Sequence, residues 1–112
     1  LELEHKYRPW IDFDNLPFYG RGAGWQRQLH IYECPFYYID YCLSTMAALQ
    51  FFLLSLHDQK DAWERYLRLV RRAGTASYTE LCETAGLQVP FRDGSIKAIA
   101  QQMSQWIAGH QV

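Results

Sequence analysis

An apolar run of 22 residues, from Pro35 to Leu56, is the strongest feature of the hydropathy pattern. Asp40 is the only formally charged side chain within it. A helix that is apolar on all sides has to be surrounded by protein or by lipid. The run therefore predicts one long apolar helix at about residues 35–57, buried among the other helices of the chain.

The same run is long enough to cross a bilayer, which requires about 20 apolar residues. Polar side chains nevertheless recur through it, at Asp40, Ser44, Thr45, Gln50 and Ser55. An aspartate inside a membrane span costs about 2.5–3.5 kcal/mol on insertion scales. We therefore favour a buried helix and expect no membrane partner.

Three shorter helices are predicted after this run. The first begins at the capping residue Asp58 and ends near Gly74, and its apolar residues follow the i, i+3, i+4, i+7 spacing: Trp63, Tyr66, Leu67 and Val70. Ser77 and Glu80 form a capping-box pattern, which starts a short helix that ends near Gly86. The last helix has one apolar face, made of Ile96, Ile99, Ala100, Met103, Trp106 and Ile107.

The residues before the apolar run predict irregular structure, because Pro9 and Pro17 interrupt helices and Gly20, Gly22 and Gly24 form a loop. These glycines permit close approach of the backbone to a ligand, but a flexible connection explains them at least as well. No strand pattern persists. The predicted fold is all-α, a helical bundle around the long apolar helix with an irregular Gly/Pro-containing N-terminal segment, in a single domain of residues 1–112.

Charge and cysteine content narrow the function classes. The net charge of −1 gives no reason to expect binding to nucleic acid. Three cysteines, Cys34, Cys42 and Cys82, form no C-x-x-C pair, which argues against a disulfide framework and against a cysteine zinc site. We expect a cytoplasmic protein in which Cys34 and Cys42 are buried, inert thiols.

Histidine and tyrosine are the residues that could carry chemistry. None of the four histidines has another at i+4, so the sequence predicts no metal site within this chain. In a helix, Tyr41 would share a face with Tyr38 or with Tyr37. Neutral phenols, with His30 as a further donor, can stabilise a developing oxyanion or bind a peptide carbonyl. An aromatic core with hydrogen-bonded hydroxyls is the alternative.

One stretch resembles a known family. The run WQRQLHIYECPFYYIDYCL at residues 25–43, followed by ALQF at 48–51, resembles the C-terminal part of the oligoendopeptidase F family, which are zinc metallopeptidases related to thimet oligopeptidase. The resemblance extends over about residues 7–106 and includes PFRDG at 90–94. It implies an all-helical peptidase with a deep cleft that hydrolyses peptide bonds in short peptides with a zinc-activated water.

The resemblance also implies roles for individual residues. His30, Tyr38 and Tyr41 would be the catalytic residues, a histidine and two tyrosines that line the cleft and help to stabilise the tetrahedral intermediate. Tyr37 would contact substrate, because the spacing from the histidine differs by about one residue between branches of the family. Gly22 and Gly24 resemble a glycine-bearing segment beside the cleft and are the further substrate-binding candidates.

The family's H-E-x-x-H helix and its further glutamate ligand have no counterpart in this sequence. Zinc and peptidase activity would therefore belong to a larger parent protein, of which residues 1–112 are the C-terminal helical portion, inactive alone. The expected partners are short peptides and the remainder of the peptidase. The alternative function is a non-catalytic helical protein-interaction module, which could form a homo-oligomer.

Overall fold

The computed structural model describes residues 1–110. Within them the helices are α1 (Glu2–Tyr7), α2 (His30–Glu33), α3 (Ile39–His57), α4 (Gln59–Arg72), α5 (Tyr78–Ala85) and α6 (Ser95–Gly109), with two short 3₁₀ helices at Tyr19–Arg21 and Gly24–Arg27. No strand occurs in this part of the chain. The prediction of an all-α fold with one long apolar helix is confirmed.

The chain divides into two compact units, Leu1–Ile39 and the residues from Asp40 onward. The first unit is mostly irregular, as its prolines and glycines predict, and holds α1, α2 and the two 3₁₀ helices. The second unit holds α4, α5, α6 and nearly all of α3. The single-domain prediction for residues 1–112, of which 111 and 112 lie outside the described residues, stays a prediction.

The bounds of α3 differ from the prediction at one end only. The helix begins at Ile39, four residues later than expected, because Pro35 lies in a turn that precedes it. It ends at His57, and Asp58 then caps α4 as predicted. The Asp58 carboxylate accepts hydrogen bonds from the backbone N–H groups of Lys60 and Asp61, at 2.9 and 3.0 Å.

The core of the second unit lies where α5 and the segment after it meet α3 and α4. Its buried residues are Cys82, Ala85, Leu87 and Val89. Partly buried residues pack around them: Ala47, Phe51, Leu54, Leu69 and Tyr78. Three of these come from α3 at positions i, i+4 and i+7, so α3 contributes one stripe of its surface to the core.

The expectation that α3 is buried is wrong for this chain, because Gln50 is its only buried residue. Most of its other residues are exposed in the first turns or half-buried further along, although Phe52 packs against Trp106 of α6 with ring centroids 4.9 Å apart. By length and composition, α3 is also the one helix among residues 1–110 that could cross a membrane. Core helices of soluble proteins pass the same test.

The predicted capping box at the start of α5 is present. The Ser77 hydroxyl accepts from the backbone N–H of Glu80 at 3.4 Å, and the Glu80 carboxylate accepts from the N–H of Ser77 at 2.8 Å. The Ser77 hydroxyl also donates to the same carboxylate oxygen at 2.7 Å. These hydrogen bonds from Ser77 hold the pKa of Glu80 below its usual value.

We expect Ser77→Ala to lower the free energy of unfolding by about 1 kcal/mol, the usual cost of losing an N-cap side chain. Because the folded state lowers the pKa of Glu80, the stability from its ionised form is present above the ordinary glutamate pKa of 4.5. That stability is lost as the pH falls through the lower, folded value. Chemical denaturation at a series of pH values measures both effects.

The matched control is Ser104→Ala, the same substitution at an exposed position inside α6. It should be neutral or slightly stabilising, because alanine is the better helix former. Equal losses for the two variants, or a loss from Ser77→Ala that does not shrink in acid, would contradict the role of the capping box.

Candidate functional site

His30 is the first residue of α2. The side-chain amide nitrogen of Gln28 lies 2.6 Å from its Nδ1, which is hydrogen-bond distance. An amide nitrogen can only donate, so in the neutral ring Nδ1 accepts and Nε2 carries the hydrogen. In that tautomer Nε2 is the donor of the imidazole.

A tight turn connects α2 to α3. The backbone N–H of Tyr37 donates to the carbonyl of Cys34 at 3.1 Å, with Pro35 second in the turn and Phe36 third. Phe36 has a φ of 70°, the only positive φ of a non-glycine residue in the described chain. Proline in the second position and a positive φ in the third are the features of a type II turn.

The turn brings two of the predicted tyrosines back to His30. The rings of His30 and Tyr37 are stacked, with centroids 5.9 Å apart and planes at 7°. The ring of Tyr38 lies 5.2 Å from the His30 ring, tilted by 52°. Three of the predicted site residues therefore form one aromatic cluster, which we call the His30 cluster.

Tyr41 is placed by a different element. It lies in the first turn of α3, in the second unit, and is 49% exposed. Tyr37 and Tyr38 precede the helix, so the expectation that they share a helical face with Tyr41 is wrong for this chain. The physical reason is the turn at Pro35, which delays the start of α3.

Gly22 and Gly24 lie against α1 in the first unit. Gly22 is left-handed, with a φ of 73°, and a Cβ there would lie 3.0 Å from the backbone nitrogen of Leu1. A Cβ on Gly24 would lie 2.6 Å from Oε1 of Glu4 and 2.7 Å from the Tyr19 ring. Close packing explains both glycines locally, and substrate binding by them stays a prediction.

The two thiols expected to be buried are not. Cys34 begins the turn and Cys42 lies in the exposed first turns of α3, and both are exposed. Gln28 and Phe36 are the site residues that sequence reasoning missed. Pro35 signals a turn, but without glycine or asparagine after it nothing in the sequence indicates a positive φ at Phe36.

The described residues do not fit a zinc ion. Nowhere in residues 1–110 do three or more His, Cys, Asp or Glu side chains come together in a group that could hold a metal. The His30 cluster instead contains one imidazole and two phenols, which are groups that donate hydrogen bonds. Such groups can bind a carbonyl oxygen and stabilise negative charge that develops on it.

We expect Phe36→Gly to raise the free energy of unfolding by about 1 kcal/mol, because a left-handed conformation costs an L-residue roughly 1–2 kcal/mol and glycine almost nothing. The ring is 95% exposed, so little packing is lost with it. Phe36→Ala is the matched control, since it removes the ring and keeps the strain. Denaturation of the three proteins distinguishes the effects, and equal stability of the glycine and alanine variants would contradict strain at this position.

Comparison with known proteins identifies the family. No protein-family model matches the chain, and no curated protein matches it. An X-ray structure at 3.1 Å of a protein assigned as oligoendopeptidase F matches with a TM-score of 0.89 and 38% identity. A structure of PZ peptidase A with an inhibitor matches with a TM-score of 0.89 and 40% identity. Each match covers 98% of this chain but only 20% of the other. The chain therefore belongs to the oligoendopeptidase F family, and it matches a C-terminal part of those peptidases.

Proposed function

We propose that this chain is the cleft-lining, C-terminal part of a zinc-dependent oligoendopeptidase that hydrolyses peptide bonds in short peptides. The observation that carries the proposal is the 38–40% identity to two peptidases over 98% of the chain. Because the chain spans only 20% of their length, the activity, the zinc and the substrates would be those of a larger protein.

In this proposal the His30 cluster and Tyr41 are donors to the substrate. His30 and Tyr38 would donate hydrogen bonds to a peptide carbonyl beside the cluster, and Tyr37 and the loop of Gly22 and Gly24 would contact the rest of the peptide. Tyr41 would be a further donor to the substrate. Donors aimed at an oxygen that becomes negative in the transition state lower the barrier more than they tighten substrate binding.

The rest of the peptidase would supply what these residues do not. Its zinc ligands and general base would come from outside this chain, since the described residues do not fit an ion. The same larger body would cover the exposed side of α3, on which Tyr41, Thr45 and Ala48 lie. A cytoplasmic location is consistent with the three unpaired cysteines.

The exposed side of α3 also favours a second candidate, a non-catalytic module that binds a partner chain or a second copy of itself. The two candidate functions would use different parts of the Tyr41 side chain. As an oxyanion donor it acts through its hydroxyl, whereas an interaction surface would use mainly the apolar ring.

We expect Tyr41→Phe, made in the peptidase that contains this chain, to lower kcat about 10²-fold or more, which is the effect of removing one oxyanion donor. KM should change little, because the lost hydrogen bond strengthens only in the transition state. Steady-state hydrolysis of a quenched fluorescent peptide measures both constants. Tyr66→Phe, the same change on α4, is the control. An unchanged kcat for Tyr41→Phe would favour the interaction module.

Zinc analysis tests where the metal would be held. Elemental analysis of the zinc-loaded peptidase should find about one ion per chain, and a chelator should abolish its cleavage of the peptide. The 112-residue chain, treated in the same way, should retain no stoichiometric zinc, because its described residues form no ligand group. Stoichiometric zinc on the short chain would contradict the placement of the ligands elsewhere.

A further inference from the structure

Gln50 is the only buried residue of α3, and it is polar. Its side-chain amide both donates a hydrogen bond to the backbone of residue 88 and accepts one from it. Residue 88 lies in the segment between α5 and α6. Nε2 donates to the carbonyl of Gln88 at 3.1 Å, and the backbone N–H of Gln88 donates to Oε1 at 2.7 Å. Nε2 also donates to the Met46 carbonyl at 3.3 Å, so both amide hydrogens are used.

A second polar contact lies two turns nearer the start of α3. The hydroxyl of Tyr78, on α5, donates to the backbone carbonyl of Leu43 at 2.7 Å. Burial and the neighbouring Cys82 raise the pKa of Tyr78 above its usual range, so the hydroxyl keeps its hydrogen at physiological pH. Leu43 and Gln50 are seven residues apart, which places the two contacts on one side of α3, about 10 Å from each other.

Directional contacts matter on this helix because its apolar residues do not select one side. Large apolar side chains lie all round α3: Leu49, Phe51, Phe52, Leu53, Leu54 and Leu56. Burial of apolar surface is non-directional, so several rotations of α3 about its axis would bury similar areas. The paired hydrogen bonds of Gln50 with residue 88 are directional, so a rotation of α3 about its axis would break them.

The rotation of α3 about its axis decides where Tyr41 lies. Tyr41 is nine residues before Gln50, and nine steps of 100° place it half a turn away, on the opposite side of the helix. The burial pattern agrees with this geometry. Tyr41, Thr45 and Ala48 are exposed, whereas Leu43, Ala47 and Gln50 are half-buried or buried.

We propose that Gln50 and Tyr78 are positioning residues, which set the rotation of α3 and thereby the direction in which it presents the Tyr41 phenol to a bound peptide. The role of Tyr41 in this inference rests on the proposed function. The rotation itself rests only on the contacts of α3 within the second unit.

The test uses 3-fluorotyrosine at position 41 of the full 112-residue chain, followed by ¹⁹F NMR. Gln50→Leu keeps a side chain of similar size and removes both hydrogen bonds to residue 88, so the ¹⁹F signal should shift or split. Gln88→Ala is the matched control and should leave the signal unchanged, because Gln50 contacts only backbone atoms of that residue. Tyr78→Phe, which removes one oxygen atom, should also shift the signal.

The same variants, without the fluorine label, are assayed in the peptidase that contains this chain. Gln50→Leu should lower kcat about tenfold or more with KM within about twofold, because a small displacement of a donor weakens its transition-state contact most. Ala62→Gly, a substitution at a buried position of α4, controls for loss of stability alone. Circular dichroism verifies that each variant is folded. If Gln50→Leu is not folded, Tyr78→Phe is used for the test instead.

The outcomes separate this inference from the proposed function. If Gln50→Leu and Tyr78→Phe change the ¹⁹F signal no more than Gln88→Ala does, and change kcat no more than Ala62→Gly does, the two residues only stabilise the fold and the inference fails. If they shift the ¹⁹F signal while neither they nor Tyr41→Phe lower kcat, the positioning of α3 is supported and the proposed role of Tyr41 fails.

Discussion

The structure of the second unit depends on a choice that apolar burial alone does not make, namely which side of α3 faces α5. A helix with large apolar residues on every side gains similar hydrophobic stabilisation in several orientations. The amide of Gln50 removes this ambiguity, because a buried amide without hydrogen-bond partners costs free energy. The backbone of residue 88 supplies both an acceptor for Nε2 and a donor for Oε1. A buried polar residue here specifies an arrangement that the apolar residues then stabilise.

In the first unit the deciding constraint is local. Pro35 cannot continue the α2 helix, and the turn that it starts requires a positive φ at Phe36. This turn delays α3 to Ile39 and leaves Tyr37 and Tyr38 outside the helix, where their rings lie against His30. The His30 cluster therefore depends on the strained backbone conformation of one exposed residue, Phe36.

The parts of the fold that could be predicted are those specified by neighbouring residues. Asp58 as a cap and the Ser77–Glu80 capping box are local hydrogen-bonding patterns, so their sequence signatures sufficed. The exposure of α3 could not be predicted in this way, because it depends on how much of the helix the rest of the chain covers. The contact of Gln50 with residue 88 joins positions 38 residues apart, and no local pattern indicates it.

Some residues of the candidate site are positioned by local contacts and others by contacts between distant parts of the sequence. The resemblance to a family named His30 and the tyrosines, but residue spacing alone assigned them the wrong geometry, since it assumed one helix through Tyr37, Tyr38 and Tyr41. The His30 cluster is held by contacts within about ten residues of chain, so substitutions in the distant core should affect it little. Tyr41 instead inherits its direction from contacts that α3 makes with residues 78 and 88. Of the proposed donors, Tyr41 is therefore the one whose geometry depends on the packing of the whole second unit.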